Sequence, residues 1–193
     1  MPVTAVPYAA KQLDAQRTGC WVRLLSPSDV RGAIEAIAAE VTRRHSDLSK
    51  ALVIGIHRGG VHIADLLRNE LAACIGETVP GGVIDVTGHR DDTRSAPLEV
   101  RRSFTRLPIQ IDGMAVLLVD DVISTGRTAR AGLSVLSSLG RPRSVELVAL
   151  IDRGHRELPI RPDYVGKHLP TSSYALVAVY PEGVFLHDSI EPS

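Results

Sequence analysis

From residue 26 onward the apolar positions fall into two spacings, one helical and one extended. Ser26-Pro27-Ser28-Asp29 opens the first periodic stretch, with Ser28 or Asp29 placed to cap a helix. Val30, Ile34, Ile37 and Val41 follow at helical spacing, and the pattern runs out near residues 43–45. Ala51–Ile56 (ALVIGI) is a short unbroken apolar run rich in β-branched residues, the pattern of a strand covered on both faces of a parallel sheet. Gly59-Gly60 interrupts it, and apolar residues at 63, 67 and 71 predict a second helix over residues 61–74. Residues 82–86 predict a second strand, Ala115–Val119 a third and Val145–Ile151 a fourth. Gly126–Leu139 reads as a helix stopped by Gly140-Arg141-Pro142. Ala175–Tyr180 and Val184–Leu186 read as short strands, with turns at Pro181 and Gly183.

The order β-α-β, a long polar stretch, then β-α-β predicts an α/β fold with a mainly parallel sheet flanked by helices. Thr87–Arg106 is the polar stretch, with four arginines between Arg94 and Arg106. It is too long for a simple connection, and such segments in compact domains are usually lids or hairpin flaps. Residues 1–25 show weak periodicity and two prolines, which predicts a poorly ordered or partner-docked arm of unknown role. Residues 26–193 are then a single domain, with no internal repeat and no low-complexity segment.

Composition narrows the classes. A chain of 193 residues, 44% hydrophobic and 23% charged, suits one globular domain with one core. Lys plus Arg (22) equals Asp plus Glu (22), so no global positive field draws in nucleic acid and any such site is a local patch. Cys20 and Cys74 belong to no CxxC or Cys/His cluster and read as reduced, structural thiols. The start, MPVTAVPYAAKQLDAQ, has no charged n-region before an apolar core, and no apolar run approaches membrane-spanning length. These features predict a cytoplasmic protein without a membrane partner.

The candidate chemistry sits after the third strand. Val116, Leu117, Leu118 and Val119 lead into two adjacent carboxylates, Asp120 and Asp121; Val122 and Ile123 follow, and Ser124, Thr125, Gly126, Arg127 and Thr128 then open a helix. Ligands of open α/β sheets bind at the carboxyl ends of strands. Successive N–H groups of residues 124–128 can form an anion nest, reinforced by the helix N-terminus and by the hydroxyls of Ser124, Thr125 and Thr128. Gly126 permits close backbone approach. A phosphate monoester fits that cradle, whereas carboxylates suit vicinal ribose hydroxyls. The string therefore describes a sugar phosphate. A bare Asp-Asp pair at a strand end is more often a solvated cap, and a lone Thr-Gly carries no signal; the full string is far more specific. It is not a Walker A loop, because G-x-x-x-x-G-K-[ST] is absent.

This string resembles the phosphoribosyl pyrophosphate (PRPP) motif of type I phosphoribosyltransferases. The resemblance implies the type I phosphoribosyltransferase fold, a mainly parallel sheet flanked by helices with a flap hairpin. It also implies a pyrophosphate loop after the first core strand, where His57, Arg58, Gly59 and Gly60 stand. That loop often holds a non-proline cis peptide in the family. On residues alone, an ordinary strand-to-helix turn remains an alternative there.

Further downstream, Leu139–Pro142, the thirteen-residue run Ile151–Asp163 (IDRGHRELPIRPD) and Tyr164–Ser172 resemble the PyrR family of bacterial pyrimidine-operon regulators, which are also uracil phosphoribosyltransferases. The similarity spans roughly residues 26–180, and His89-Arg90-Asp91-Asp92 matches the family's RDD stretch at the flap base. The resemblance implies conversion of uracil and PRPP to UMP and pyrophosphate. Asp120, Asp121 and Arg90 would be catalytic, and Mg²⁺ would be carried by PRPP with Asp91 or Asp92 as a candidate ligand. Asp152 and Arg153 would lie near the nucleobase. It further implies UMP and UTP as effectors, a leader-mRNA face at His155, Arg156, Arg161 and Lys167, and a homodimer or larger homo-oligomer.

The chain departs from the family pattern at several places. The first helix reads Ala36-Ile37-Ala38-Ala39-Glu40, with alanines at Ala36 and Ala39 where arginine and histidine are usual. The pyrophosphate loop has Arg58-Gly59-Gly60 in place of T-R-G, the flap begins at Gly88 rather than with L-Y, and Ser173 follows the PTS. Ile123-Ser124-Thr125 replaces L-Y-T, a conservative change that leaves phosphate binding intact. The helix departures weigh against RNA regulation more than against nucleotide binding. Two alternatives stay open: a phosphoribosyltransferase without RNA regulation, and one acting on another base.

Overall fold

The computed structural model describes residues 21–87 and 104–187. The chain runs β1 (Trp21–Leu25), α1 (Pro27–Arg44), β2 (Ala51–Ile56), α2 (Gly59–Ile75), β3 (Gly81–Ile84), β4 (Ala115–Ile123), α3 (Arg127–Leu139), β5 (Ser144–Asp152), β6 (Tyr164–His168), β7 (Leu176–Tyr180) and β8 (Gly183–His187). A five-stranded parallel sheet has the order β3-β2-β4-β5-β6, and β1, β8 and β7 form a small antiparallel sheet.

The unbroken apolar strands follow from burial on both faces. All six residues of β2 and the first six of β4 are buried. On one face α1 and α2 place Ile34, Ile37, Val41, Ile63, Leu67 and Leu71 against Val53, Leu117, Val119 and Val148. On the other, Ala129, Ala131, Val135 and Leu136 of α3 cover Leu52, Ile54, Val116, Leu118 and Ala149. The result is an α/β fold with a parallel sheet flanked by helices, as the sequence pattern predicts.

Several boundaries differ from the sequence pattern, each for a physical reason. The cap of α1 is Ser26, not Ser28 or Asp29. The Asp29 N–H donates to the Ser26 hydroxyl (3.2 Å), and the Ser26 N–H donates to the Asp29 carboxylate (2.8 Å), with Pro27 opening the helix. Gly59 and Gly60 begin α2 rather than separating it from β2. Trp21–Leu25, expected as the end of an irregular arm, pairs with β8, and buried Trp21 packs on Phe185. β6 carries too little alternation to be read locally; its strand form comes from pairing with β5. β4 runs beyond its expected end because a neighbour supports it: it continues through Asp120 and Asp121 to Ile123 by pairing with Ala149, Ile151 and Asp152.

The base of the expected flap is antiparallel, with Val83 and Arg106 exchanging backbone hydrogen bonds at 2.9 and 2.8 Å. Its interior, including Gly88, Arg90, Asp91, Asp92 and Arg94, lies outside the described residues, as do Cys20 and the first 20 residues. Cys74 is a free thiol on the exposed side of α2, so it is not the core residue that a structural role implies.

A polar cluster ties the C-terminus of α1 to the sheet edge. The Tyr164 hydroxyl donates to Glu146 Oε2 (2.6 Å), His45 Nε2 lies 3.0 Å from the same oxygen, and the Arg44 guanidinium stacks 4.8 Å over the Tyr164 ring. Burial pushes the Glu146 carboxyl up, but hydrogen bonds from Tyr164 and His45, with the nearby Arg44 charge, leave it below its ordinary value of 4.5. A carboxyl depressed in the folded state contributes stability above its unfolded pKa, and that contribution is lost as pH falls through the folded value. Glu146→Gln is therefore expected to lower the melting temperature at pH 7 and to lose that deficit as the pH drops below 4.5. Melting curves across that range check this; an equal deficit at both ends would contradict it.

Candidate active site at the sheet switch point

The connection from β2 runs by α2 to β3 on one side, while β4 lies on β2's other side. The strand order thus reverses between β2 and β4, and the crevice at their carboxyl ends is where α/β sheets bind ligands. The loops that flank it are residues 57–60 after β2 and residues 124–126 after β4. Both were singled out in the sequence for anion binding, and the fold places them side by side.

After β4 lies a cleft of about 410 Å³ lined by Asp120, Val122, Ile123, Ser124, Thr125, Gly126, Arg127, Thr128, Ala129 and Glu157. Val116, Leu117, Leu118 and Val119 are buried strand residues that deliver it rather than line it. Gly126 caps α3 with φ +89°, a left-handed conformation that glycine adopts without steric cost. The cap residue Gly126 brings no side chain to this helix end and no acidic residue stands in its first turn, an arrangement whose partial positive charge suits an anion. The Thr125 hydroxyl accepts from the Arg127 N–H at 3.3 Å, and Arg127 pairs with Glu157 at 2.7 Å. Glu157, thirty residues on, gives no local signal in the sequence.

Asp120 is 6% exposed at the cleft wall, and its Oδ1 accepts from the Asp121 N–H at 3.1 Å. Burial pushes the Asp121 carboxyl above its ordinary value; hydrogen bonds with the Asp120 side chain and from the Val122 N–H (2.9 Å) offset this only partly.

The loop after β2 docks on these carboxylates. The His57–Arg58 peptide is cis, as the resemblance leads one to expect. A side-chain carbon on Gly59 would strike the Asp121 carboxylate, and one on Gly60 the Val119 carbonyl oxygen. Only glycines allow this approach. His57 stacks on Phe104 at the flap base, with ring centroids 5.0 Å apart, and Arg58 is exposed. Asp85 closes the corner: its carboxylate accepts from the Thr87 N–H (2.9 Å) and the Phe104 N–H (3.3 Å). Phe104, Thr105 and Asp85 carry no sequence motif; only the fold reveals them.

Asp152 and Arg153, at the end of β5, lie beside the loop after β4: the Arg153 N–H donates to the Ile123 carbonyl at 3.1 Å. The Arg153 guanidinium donates to the Ser172 carbonyl (2.8 Å), and burial lowers its pKa. Gly154 and His155 are both left-handed, with φ +79° and +58°. His155, Arg161 and Lys167 are exposed, while Arg156 turns inward. A second cleft, about 510 Å³, joins Glu40 of α1 to Asp152, Arg156, Arg161, Asp163 and His168, so its charge is mixed. Ala36 and Ala39 are exposed on α1. No helix among the described residues is long and apolar enough to cross a membrane.

Comparison with known proteins agrees with this geometry. The model of the phosphoribosyl transferase domain matches residues 27–181. A "Bifunctional protein PyrR" from Microcystis aeruginosa is 39% identical over 170 residues, 88% of this chain and 96% of the relative. Another from Pelotomaculum thermopropionicum is 46% identical over 158 residues, 81% of this chain and 87% of the relative. Among solved structures, a hypoxanthine phosphoribosyltransferase from Staphylococcus aureus superposes with a TM-score of 0.64 at 20% identity, covering 89% of this chain and 86% of that one. The Trypanosoma cruzi enzyme gives 0.66 at 19% identity, covering 88% and 97%; at such identity these two establish the fold alone. Crevice, loops and relatives converge, and the chain belongs to the PyrR family of phosphoribosyltransferases.

Proposed function

We propose that the protein transfers the phosphoribosyl group of PRPP to uracil, giving UMP and pyrophosphate, and that it regulates pyrimidine genes by binding their leader mRNA in response to uridine nucleotides. One observation carries the enzymatic half: the N-terminus of α3, with its cleft and no acidic residue in its first turn, stands beside the Asp120 and Asp121 carboxylates, and a glycine loop overlies Asp121.

In this reading residues 124–128 hold the 5-phosphate, and Asp120 and Asp121 accept from the ribose hydroxyls. Residues 57–60 face pyrophosphate, with Arg58 and the flap residue Arg90 matching its charge. Asp152 and Arg153 lie beside the base. No group of three or more His, Cys, Asp or Glu among the described residues forms a metal cage. Mg²⁺ would be carried chiefly by substrate oxygens, with Asp91 or Asp92 as a candidate ligand. The ion would neutralise charge on the leaving pyrophosphate. The protein's own contribution is positioning and fixed dipoles as the ribose gains positive character. Closure of the flap would exclude water.

For the regulatory half, His155, Arg161 and Lys167 form the exposed cations of the RNA face. Splayed bases and phosphates of an RNA loop need only such a local patch. The alanines at Ala36 and Ala39 thin that patch. We propose a homodimer or larger homo-oligomer, residues 1–20 as an arm preceding the domain, and the cytoplasm as the compartment.

The test is a substrate panel of uracil, orotate, hypoxanthine and adenine with PRPP and Mg²⁺, alongside a gel shift against the leader RNA of the protein's own pyrimidine genes. UMP from uracil alone and a UMP-dependent shift are expected. Preference for a purine would reject the base assignment, and absence of a shift at low salt would reject the RNA role.

A further inference from the structure

Of the four residues that the resemblance assigns to RNA, Arg156 has its guanidinium committed to acceptors of the protein itself. The side chain is 19% exposed, against an Asp152 partner at 13%. Nη1 donates to the Ser124 carbonyl (2.6 Å) and the Gly154 carbonyl (3.2 Å), Nε to the Ile160 carbonyl (2.8 Å), and Nη2 to Asp152 Oδ2 (2.7 Å). Those acceptors belong to the loop after β4, the loop after β5 and the segment returning to β6. A planar fork of donors can reach all of them; a lysine ammonium on a flexible stem cannot.

The neighbouring backbone leans on the same loop. The N–H groups of Glu157 and Leu158 both donate to the Thr125 carbonyl at 3.0 Å. Ile160 and Leu158 stand 3.5 Å from where a side-chain carbon on Gly126 would be. The carbonyls of Ser124 and Thr125 are thus both held by residues 156–158. A trans peptide is planar, with its C=O and N–H antiparallel. Pinning the Ser124 carbonyl toward Arg156 therefore turns the Thr125 N–H the opposite way, away from Arg156. The Thr125 carbonyl does the same for the Gly126 N–H.

We propose that Arg156 is a positioning residue for the phosphate cradle: it fixes the Ser124–Thr125 peptide so that its N–H faces the 5-phosphate, and it locks that loop to the one beside the nucleobase. The proposal rests on the assignment of residues 124–128 to the 5-phosphate. It gives the RGHRELP run a role in catalysis, and it removes Arg156 from the direct RNA contacts.

The experiment measures PRPP affinity of the full chain with Mg²⁺ by titration calorimetry, together with steady-state kinetics on uracil and the leader-RNA gel shift. Arg156→Gln is expected to raise the Kd and KM for PRPP about tenfold while kcat changes by less than about threefold. Arg156→Lys is expected not to restore affinity, since geometry rather than charge is required. If Arg156→Gln does not fold, Arg156→Lys, which keeps charge and stem, carries the same expectation. Unchanged PRPP affinity in the variants overturns the proposal, as does a fall in kcat with KM unmoved, which marks a loss of folded enzyme only. Loss of RNA binding at unchanged PRPP affinity also overturns it and returns Arg156 to the RNA face. If the unsubstituted chain binds no PRPP, the cradle assignment fails and the proposal with it. If it binds PRPP without turning over uracil, a weakened affinity in Arg156→Gln still supports the clamp, and only the assignment of the base falls.

Discussion

Asp121→Asn is expected to cut transferase turnover by about ten- to a hundredfold while raising the melting temperature of the unliganded protein at pH 7. The loss follows from removing a charged acceptor: a hydrogen bond to an ionised group contributes about 1.5–3 kcal/mol, and each 1.4 kcal/mol is a decade in rate. The gain follows from the sign of the pKa change. Burial raises the Asp121 carboxyl in the folded state above its ordinary value of 3.8. A group raised on folding contributes fully below the unfolded pKa, and that contribution is lost as pH rises through the folded value. At pH 7 the buried charge is therefore a cost. Asparagine removes it and keeps an oxygen for the Val122 N–H. Each kcal/mol recovered raises the melting temperature by about 2–4 °C in a chain of this size. The gain should vanish near pH 3. Melting curves at both pH values, with turnover measured on the same preparation, decide it. A lower melting temperature at pH 7 would show that the carboxylate is stabilised by its surroundings rather than strained by them.

Gly60→Ala should be the most damaging single methyl group in the crevice. A carbon there would overlap the Val119 carbonyl oxygen and crowd the Asp120 backbone. Neither is a flexible side-chain end that can move aside, and both belong to the central strand. Overpacking of this kind costs about 1–3 kcal/mol or more, a drop of roughly 2–12 °C in melting temperature. Relief can come only by lifting the loop at residues 57–60 off β4, which moves the loop proposed to face pyrophosphate away from the carboxylates. PRPP affinity is thus expected to fall along with stability. Gly59→Ala meets the Asp121 carboxylate instead, a side chain that can rotate, so its stability cost is smaller. Comparing the two variants by calorimetry and melting checks the ordering; equal effects would mean that the loop, not the strand, gives way.

The parts of the site readable in sequence share one property: their chemistry is contiguous. Residues 116–128 combine an apolar strand with a loop whose residue types suggest a sugar phosphate, and residues 57–60 follow an apolar strand at the place where the resemblance implies a pyrophosphate loop. Arg156 shows the limit. In sequence it stands among exposed cations and reads as one of them. Three of its four acceptors lie within four residues, but the one that ties it to the loop after β4, the Ser124 carbonyl, is 32 residues away, and nothing local announces it. Glu157 and Phe104 were missed for the same reason. The boundary of β4 was drawn too short because aspartates disfavour strands locally, whereas pairing with β5 extends the strand through both.

By itself the sequence determined the α/β class and the family, and it marked the two loops proposed to bind anions. These are encoded in unbroken apolar strands, glycines and hydroxyls at adjacent positions, where backbone geometry acts over a few residues. Only the tertiary structure decided that β2 and β4 are neighbours across the switch point, that Gly59 overlies Asp121, and that Arg156 turns inward. Those facts depend on strand order and on packing between distant segments. Burial then changes the chemistry of what it encloses, raising a carboxyl at Asp121 and converting a surface cation into a brace.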